Sequence, residues 1–457
     1  MPSLHFYTLT ALLFPGSILG FAGVKSYEDD LPQCHMNGTE SCALASMKSN
    51  TGNYIYPDRS TTADSPTGCL AGNPYRFYVQ RGTSLDNVLI YFQGGGGCWN
   101  KLTSRNKRFR MCHHEASHSN IDKGIFEKRD DNPFKDYTVI HILYCSGDTH
   151  LGNKKRDYKD KTTGRHVQLY GSGNTRSVFK WMHQQLPFGK KYIMIGGSSA
   201  GAMATQFYAQ YLLSNFPSER QGVLIDSLIG IIPKKNTAHH WKKLGVCDGF
   251  GLEWNSTFVK DCHEGKFKPS MALEATIKNH PKAQFLAINT KIDYVQRVFY
   301  ALTSYNHLGR EEFYNDMIGL LLQFEKYPNF ASYLVRGGAH QFLNKKIVYT
   351  ATTSRYHGPL VSKWEKTKNF IIGADRAPVQ VVTLLKVLKS MTQGDPEEIY
   401  RDDQGFLLSY CYGEIRDSKF KLFETDECPW DLTEGKVNEK SLMTRPVNLA
   451  SIAEDLM

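Results

Sequence analysis

Tyr192-Ile193-Met194-Ile195-Gly196-Gly197-Ser198-Ser199-Ala200-Gly201 is the stretch that decides the fold. An apolar strand runs into Gly-x-Ser-x-Gly, and a segment with helical character follows to about residue 216. A chain that turns this sharply from strand to helix lifts the central serine, here Ser199, off the sheet, and the flanking glycines leave room for the turn.

A second glycine cluster stands about a hundred residues earlier. Val88-Leu89-Ile90-Tyr91-Phe92 is a short β-branched and aromatic run, bounded by Asp86-Asn87 and by Gly94-Gly95-Gly96-Gly97, and reads as a buried strand. Four glycines at a strand exit suit a backbone that must come close to something. Opposite a serine elbow that something is an oxyanion, with N–H donors expected from Gly95, Gly96 and Ala200, the residue after the nucleophile. A flexible hairpin tip is the competing reading.

A nucleophilic serine needs a base, and the base an orienting acid. Phe285-Leu286-Ala287-Ile288-Asn289 reads as a strand followed closely by Asp293, and Tyr333-Leu334-Val335-Arg336 as one followed by Gly337-Gly338-Ala339-His340. The order Ser199, Asp293, His340 is that of an α/β-hydrolase, with each residue just past a strand end where loops converge. The fold expected is therefore α/β-hydrolase-like: a mostly parallel central sheet flanked by helices, with disulfide-stapled loop insertions. Asp226, which ends Val223-Leu224-Ile225, is a rival for the acid, while His239, His240 and His357 lack the strand-then-glycine setting and stay unassigned.

Three blocks carry a family resemblance: Tyr91-Phe92-Gln93-Gly94-Gly95-Gly96-Gly97-Cys98-Trp99, then Leu143-Tyr144-Cys145-Ser146-Gly147-Asp148-Thr149-His150-Leu151-Gly152, then the elbow. In that order they resemble the pectin acetylesterase/Notum family, over roughly residues 65–345. The resemblance implies a serine carboxylesterase that deacylates an O-acylated substrate, most simply an O-acetylated polysaccharide such as pectin. The alternative it implies is removal of a fatty acyl group from a lipidated protein. Two departures bear on substrate preference: Ala202 stands where the family usually has a second glycine, and Gln93 where many members have an acid.

Within the second block, Asp148 and His150 leave a core strand at the same edge as Ser199. They could line the substrate site, buttress the glycine loop or simply cap a turn. Trp99 could wall an acyl pocket or pack beneath it.

The 457 residues, 41% hydrophobic and 22% charged, describe an ordinary globular chain. Residues 1–23 hold no charged side chain and read as a signal peptide, 24–70 as a stapled N-terminal extension, 71–430 as the catalytic domain and 431–457 as a polar tail. Residues 232–281, holding Trp241, Cys247, Trp254 and Cys262, are too long for a simple crossover and form a candidate lid or insert. Residues 379–391 read as a helix, and Trp181 as core.

Ten cysteines, an even number, fit a secreted chain. Local closures Cys98–Cys112, Cys247–Cys262 and Cys411–Cys428 are candidates, the connectivity being open. Asn37 and Asn255 head glycosylation sequons. No metal, other cofactor, transmembrane segment or nucleic-acid partner is expected, and the enzyme is expected to be a monomer. The net charge of +10 suits encounter with anionic glycans, although runs such as Lys154-Lys155-Arg156 are most simply solvated faces. From another functional class, a non-catalytic secreted glycan-binding protein would lack a triad member, and none is missing.

Overall fold

The computed structural model describes residues 31–36, 42–57, 66–105, 110–117, 121–186, 189–233, 237–249, 254, 256–304, 308–335, 337–355, 381–393 and 410–412. The signal segment, the sequon asparagines Asn37 and Asn255, Cys428, His357 and the 431–457 tail lie outside them.

Fourteen strands are described: β1 (Gln33–His35), β2 (Gly52–Tyr56), β3 (Phe77–Gln80), β4 (Asn87–Phe92), β5 (Thr138–Ile142), β6 (Lys154–Lys159), β7 (His166–Leu169), β8 (Lys190–Ser198), β9 (Ser218–Asp226), β10 (Gln284–Thr290), β11 (Phe330–Val335), β12 (Thr352–Arg355), β13 (Val381–Thr383) and β14 (Tyr410–Tyr412). Twelve form one sheet in the order β1-β2-β3-β5-β4-β8-β9-β10-β11-β14-β12-β13, and β6 and β7 form a separate hairpin. From β5 to β11 every neighbouring pair is parallel, and β3 joins that block antiparallel to β5.

The parallel strands are apolar throughout because both sheet faces are covered. Side chains alternate between two cores. Val88, Ile90, Phe92, Ile193, Ile195, Val223, Ile225, Phe285 and Ala287 point into one, and Leu89, Tyr91, Tyr192, Met194, Leu224, Leu286 and Ile288 into the other. The first core is closed by the helices Gly171–Gln185, Ala200–Asn215 and Pro269–Asn279, and the second by Leu384–Gln393 with the turns Gly124–Phe126 and Lys346–Tyr349. Parallel pairing brings the ends of β4, β5, β8, β9, β10 and β11 to one edge, and every candidate site residue follows one of them.

Several expectations shift. The N-terminal extension is more than a stapled appendage, since β1 and β2 extend the main sheet. The expected 379–391 helix starts later: Val381–Thr383 pairs with β12, and the helix is Leu384–Gln393. Lys154-Lys155-Arg156 opens a strand with alternating burial rather than a uniformly solvated run, because it pairs with β7. Cys98–Cys112 and Cys247–Cys262 close as local loops, joined by Cys34–Cys42 and by Cys69–Cys145, a bridge across 76 residues.

Trp181 is fully buried, edge-on to Phe77 at 5.4 Å, and its indole N–H donates to the Cys42 carbonyl at 3.1 Å. One side chain thus fastens the Cys34–Cys42 loop to the sheet. Trp181→Ala should lower unfolding free energy by about 3–5 kcal/mol through the cavity it leaves. Trp181→Phe should lose about 1–3 kcal/mol through the unpaired carbonyl. Denaturant melts check both, and wild-type midpoints in both variants would contradict this packing.

Candidate active site

The elbow forms where the sequence places it. Ser199 sits between β8 and the helix Ala200–Asn215 with φ 56° and ψ −121°, a conformation an L-residue adopts only under strain. The glycines around it answer close contacts: a Cβ on Gly201 would lie 2.0 Å from the Phe92 carbonyl oxygen, and one on Gly197 would lie 2.3 Å from that of Gly201. The backbone N–H of Ser199 donates to the Asp226 carbonyl at 2.8 Å. Ala200 opens the helix, so its N–H has no carbonyl one turn back to bond.

The glycine loop is held rigidly. Gly97 N–H donates to the Met111 carbonyl at 3.1 Å and His113 N–H to the Gly95 carbonyl at 2.9 Å, while Cys98–Cys112 clamps the same two segments. This pairing leaves the N–H groups of Gly95 and Gly96 outside it. Tyr144 hydroxyl donates to the Gly96 carbonyl at 3.0 Å. Gln93 is a further anchor, accepting the Tyr144 N–H at 2.8 Å and donating to the Ser117 carbonyl at 2.9 Å. Gly96, at φ 75°, has no space for a side chain, since a Cβ would come within 2.0 Å of the Met111 carbonyl oxygen.

Asp148 and His150 are wholly buried behind this loop. Asp148 accepts from Ser146 hydroxyl at 2.6 Å and from Gly171 N–H at 2.8 Å, and burial pushes its carboxyl up to about 6. His150 Nε2 stands 2.8 Å from the Gln93 carbonyl oxygen and donates to it, and burial pushes the imidazole down to about 4. Their geometry is that of buttresses. Trp99 is buried edge-on to Phe299 at 6.1 Å and His240 at 6.4 Å, so an aromatic wall stands beside the glycine loop. His240 comes from the 232–281 segment, which also holds on through Trp254 N–H to the Phe207 carbonyl at 3.0 Å and Arg176 to the Gly249 carbonyl at 2.6 Å.

Asp293 follows β10 and precedes the helix Tyr294–Ser304, where its carboxylate accepts the Gln296 N–H at 2.9 Å as a cap. Its other oxygen accepts from Gln296 Nε2 at 3.0 Å and lies 2.8 Å from His340 Nδ1. His340 Nε2 is buried and has no hydrogen-bond partner among the described residues. An imidazole whose Nδ1–H is taken by a carboxylate presents Nε2 as its free base.

Asp226 is occupied otherwise. Its carboxylate accepts from Ser198 hydroxyl at 2.5 Å, Ser227 hydroxyl at 2.8 Å, and the N–H groups of Phe342 and Leu343, each at 2.9 Å. Four donors fill the roughly four lone-pair directions a carboxylate offers, and no histidine is among them. Sequence reasoning missed this role, as it missed Ser198, Ser227, Tyr91 and Gln296. Only Gln296 left a signal, the Asp-x-x-Gln spacing of a helix start. Among the described residues no group of three or more His, Cys, Asp or Glu side chains could hold a metal, and no helix is long and apolar enough to cross a membrane.

A mostly parallel sheet with a strained serine elbow, a glycine loop opposite and an Asp–His pair at one edge is the arrangement of an α/β-hydrolase-like fold. Residues 59–230 match the family model described as pectinacetylesterase, so this part of the chain is similar to that family. The match takes in the glycine loop, the 143–152 block and the elbow, with Asp293 and His340 lying beyond it. Among curated proteins, pectin acetylesterase 4 of Arabidopsis thaliana is 22% identical over 251 residues, which are 50% of this chain and 57% of that protein, so the chain spans little more than half the relative's length. Among solved structures, the Wnt deacylase Notum from Drosophila matches at 14% identity and a TM-score of 0.49, over 74% of this chain and 93% of that one.

Two outcomes test this geometry. A fluorophosphonate should label wild type and Ser198→Ala at Ser199 and leave Ser199→Ala unlabelled, because only Ser199 stands on the turn. Peptide mapping reads the site, and labelling at Ser198 would contradict the elbow. The second concerns pH. His150, held below its ordinary range, contributes stability that is full above about 6.5 and lost as pH falls through about 4. His150→Gln should flatten the loss of unfolding free energy between pH 7 and 4.5 by roughly 2–3 kcal/mol. Asp148, shifted upward, slopes the opposite way but is common to both proteins, so equal slopes in urea melts would contradict a buried neutral imidazole.

Proposed function

We propose that the protein is a secreted serine carboxylesterase that removes acetyl groups from an O-acetylated polysaccharide such as pectin. The observation that carries the reading is the His340–Asp293 pair, in which the buried His340 Nε2 has no partner among the described residues and the histidine leaves the same sheet edge as Ser199. Ser199 Oγ attacks the ester carbonyl as His340 Nε2 takes its proton. The N–H groups of Gly95, Gly96 and Ala200 bind the oxyanion. The proton returns to the leaving sugar hydroxyl as the acyl-oxygen bond breaks, leaving an acetyl-enzyme that a water, deprotonated by the same histidine, hydrolyses. Asp293 holds the imidazolium throughout.

The acetate assignment follows the family and the similarity to an Arabidopsis pectin acetylesterase. Four disulfides among the described residues and the signal-like residues 1–23 support secretion. Exposed Tyr294, directly after Asp293, offers an aromatic face that a sugar ring could cover.

A panel of 4-nitrophenyl esters from acetate to palmitate tests the reading. The highest kcat/KM is expected for acetate. A maximum at the long chains would transfer the enzyme to fatty deacylation, and no turnover of any ester would leave a binding protein. Gly95→Ala, which pushes a methyl against His113 and Tyr144, should lower kcat by roughly a hundredfold with the fold intact by thermal melting. Near-normal kcat would place the oxyanion donors elsewhere.

A further inference from the structure

Asp226 lies outside the proposed chemistry, yet its contacts join both halves of it. The carboxylate is fully buried at the end of β9 and receives Ser198 hydroxyl from the elbow strand and the N–H groups of Phe342 and Leu343 from the segment just after His340. Its carbonyl takes the Ser199 N–H. Ser227, at φ 58°, donates its hydroxyl to the carboxylate and accepts the Gln341 N–H at 2.8 Å. Ser198 spends its one proton on Asp226, so the Tyr91 hydroxyl, 2.6 Å away, must donate to Ser198. Tyr91 belongs to β4, whose exit is the glycine loop. One anion therefore fixes the register between β4, β8 and the His340 loop, whose residues the chain separates by more than a hundred positions.

We infer that Asp226 is a positioning residue for the esterase: through Ser198 it sets the nucleophile turn, and through Ser227 and the N–H groups of 341–343 it sets where His340 stands relative to Ser199. Desolvation raises its carboxyl above the ordinary range, but the four donors all favour the ionised form. Asparagine at this position keeps the shape but turns two N–H donors toward donors, so the His340 loop must shift. Displacements of about an ångström between nucleophile and base lower the chemical step by about a hundredfold while leaving substrate contacts in place.

The inference rests on Ser199 and His340 acting as proposed, so the test carries Ser199→Ala beside Asp226→Asn, Ser227→Ala and the double variant. Each is measured for thermal melting, fluorophosphonate titre, and kcat and KM on 4-nitrophenyl acetate, with kcat expressed per titrated site. For folded Asp226→Asn, kcat per site should fall by about tenfold or more with KM changed less than about threefold, and Ser227→Ala should fall by a smaller factor. The double variant should be no slower than Asp226→Asn, because Ser227 acts through the carboxylate.

A residue that only stabilised the fold would lower melting temperature and titre and leave kcat per site unchanged. Should Asp226→Asn fail to fold, Ser227→Ala decides: lowered kcat per site supports the inference. Wild-type kcat per site in whichever of these variants is folded overturns it. Activity persisting in Ser199→Ala would overturn the site itself and the inference with it, whereas loss of activity there with normal Asp226→Asn turnover overturns the inference alone.

Discussion

The buried Asp226 carboxylate is the contact on which the arrangement of the sheet edge depends. A lone anion in an apolar interior is strongly unfavourable, and this one is tolerated because four donors converge on it. Those donors come from the elbow strand, from the residue that follows β9, and from the segment beyond His340. The same contacts that satisfy the charge therefore bring together loops that no local propensity would place side by side. A network of this kind is rigid because removing any member leaves a buried partner unpaired.

Around that point the site is pre-built rather than assembled on binding. The glycine loop is fixed by backbone pairing to 111–113, by Cys98–Cys112, and by Tyr144, Gln93 and His150 from behind. In the proposed reaction, donors held this way would need no reorganisation as charge develops on a substrate oxygen, the condition under which oxyanion stabilisation is strong. The order in the loop comes from side chains well outside it, which is why its glycines can be numerous without making it slack.

How much of this the sequence disclosed follows from the range of the forces. Parallel strands buried on both faces read as apolar runs, so β4, β5, β8, β9, β10 and β11 were legible, as was the elbow, whose glycines are dictated by contacts with chain neighbours and with β4. Asp293 and His340 were legible as residues leaving such strands. Asp226 was legible only as a rival acid, because sequence cannot tell which N–H groups a folded loop will aim at a carboxylate. Cys69–Cys145 was invisible for a similar reason, its two ends meeting only when residues 66–75 pack against the exit of β5. Val381–Thr383 turned from expected helix to strand because a free sheet edge was there to pair with, a tertiary contact overriding local pattern.

The claim at the centre is that the strained serine between β8 and its helix is the atom that bonds to the acyl group. Rapid-quench peptide mapping of the protein mixed with 4-nitrophenyl acetate tests it directly. A single acetyl group carried on Ser199 during turnover is the expected result; turnover with the acetyl on another residue, or with none on Ser199 at any time resolved, would contradict it.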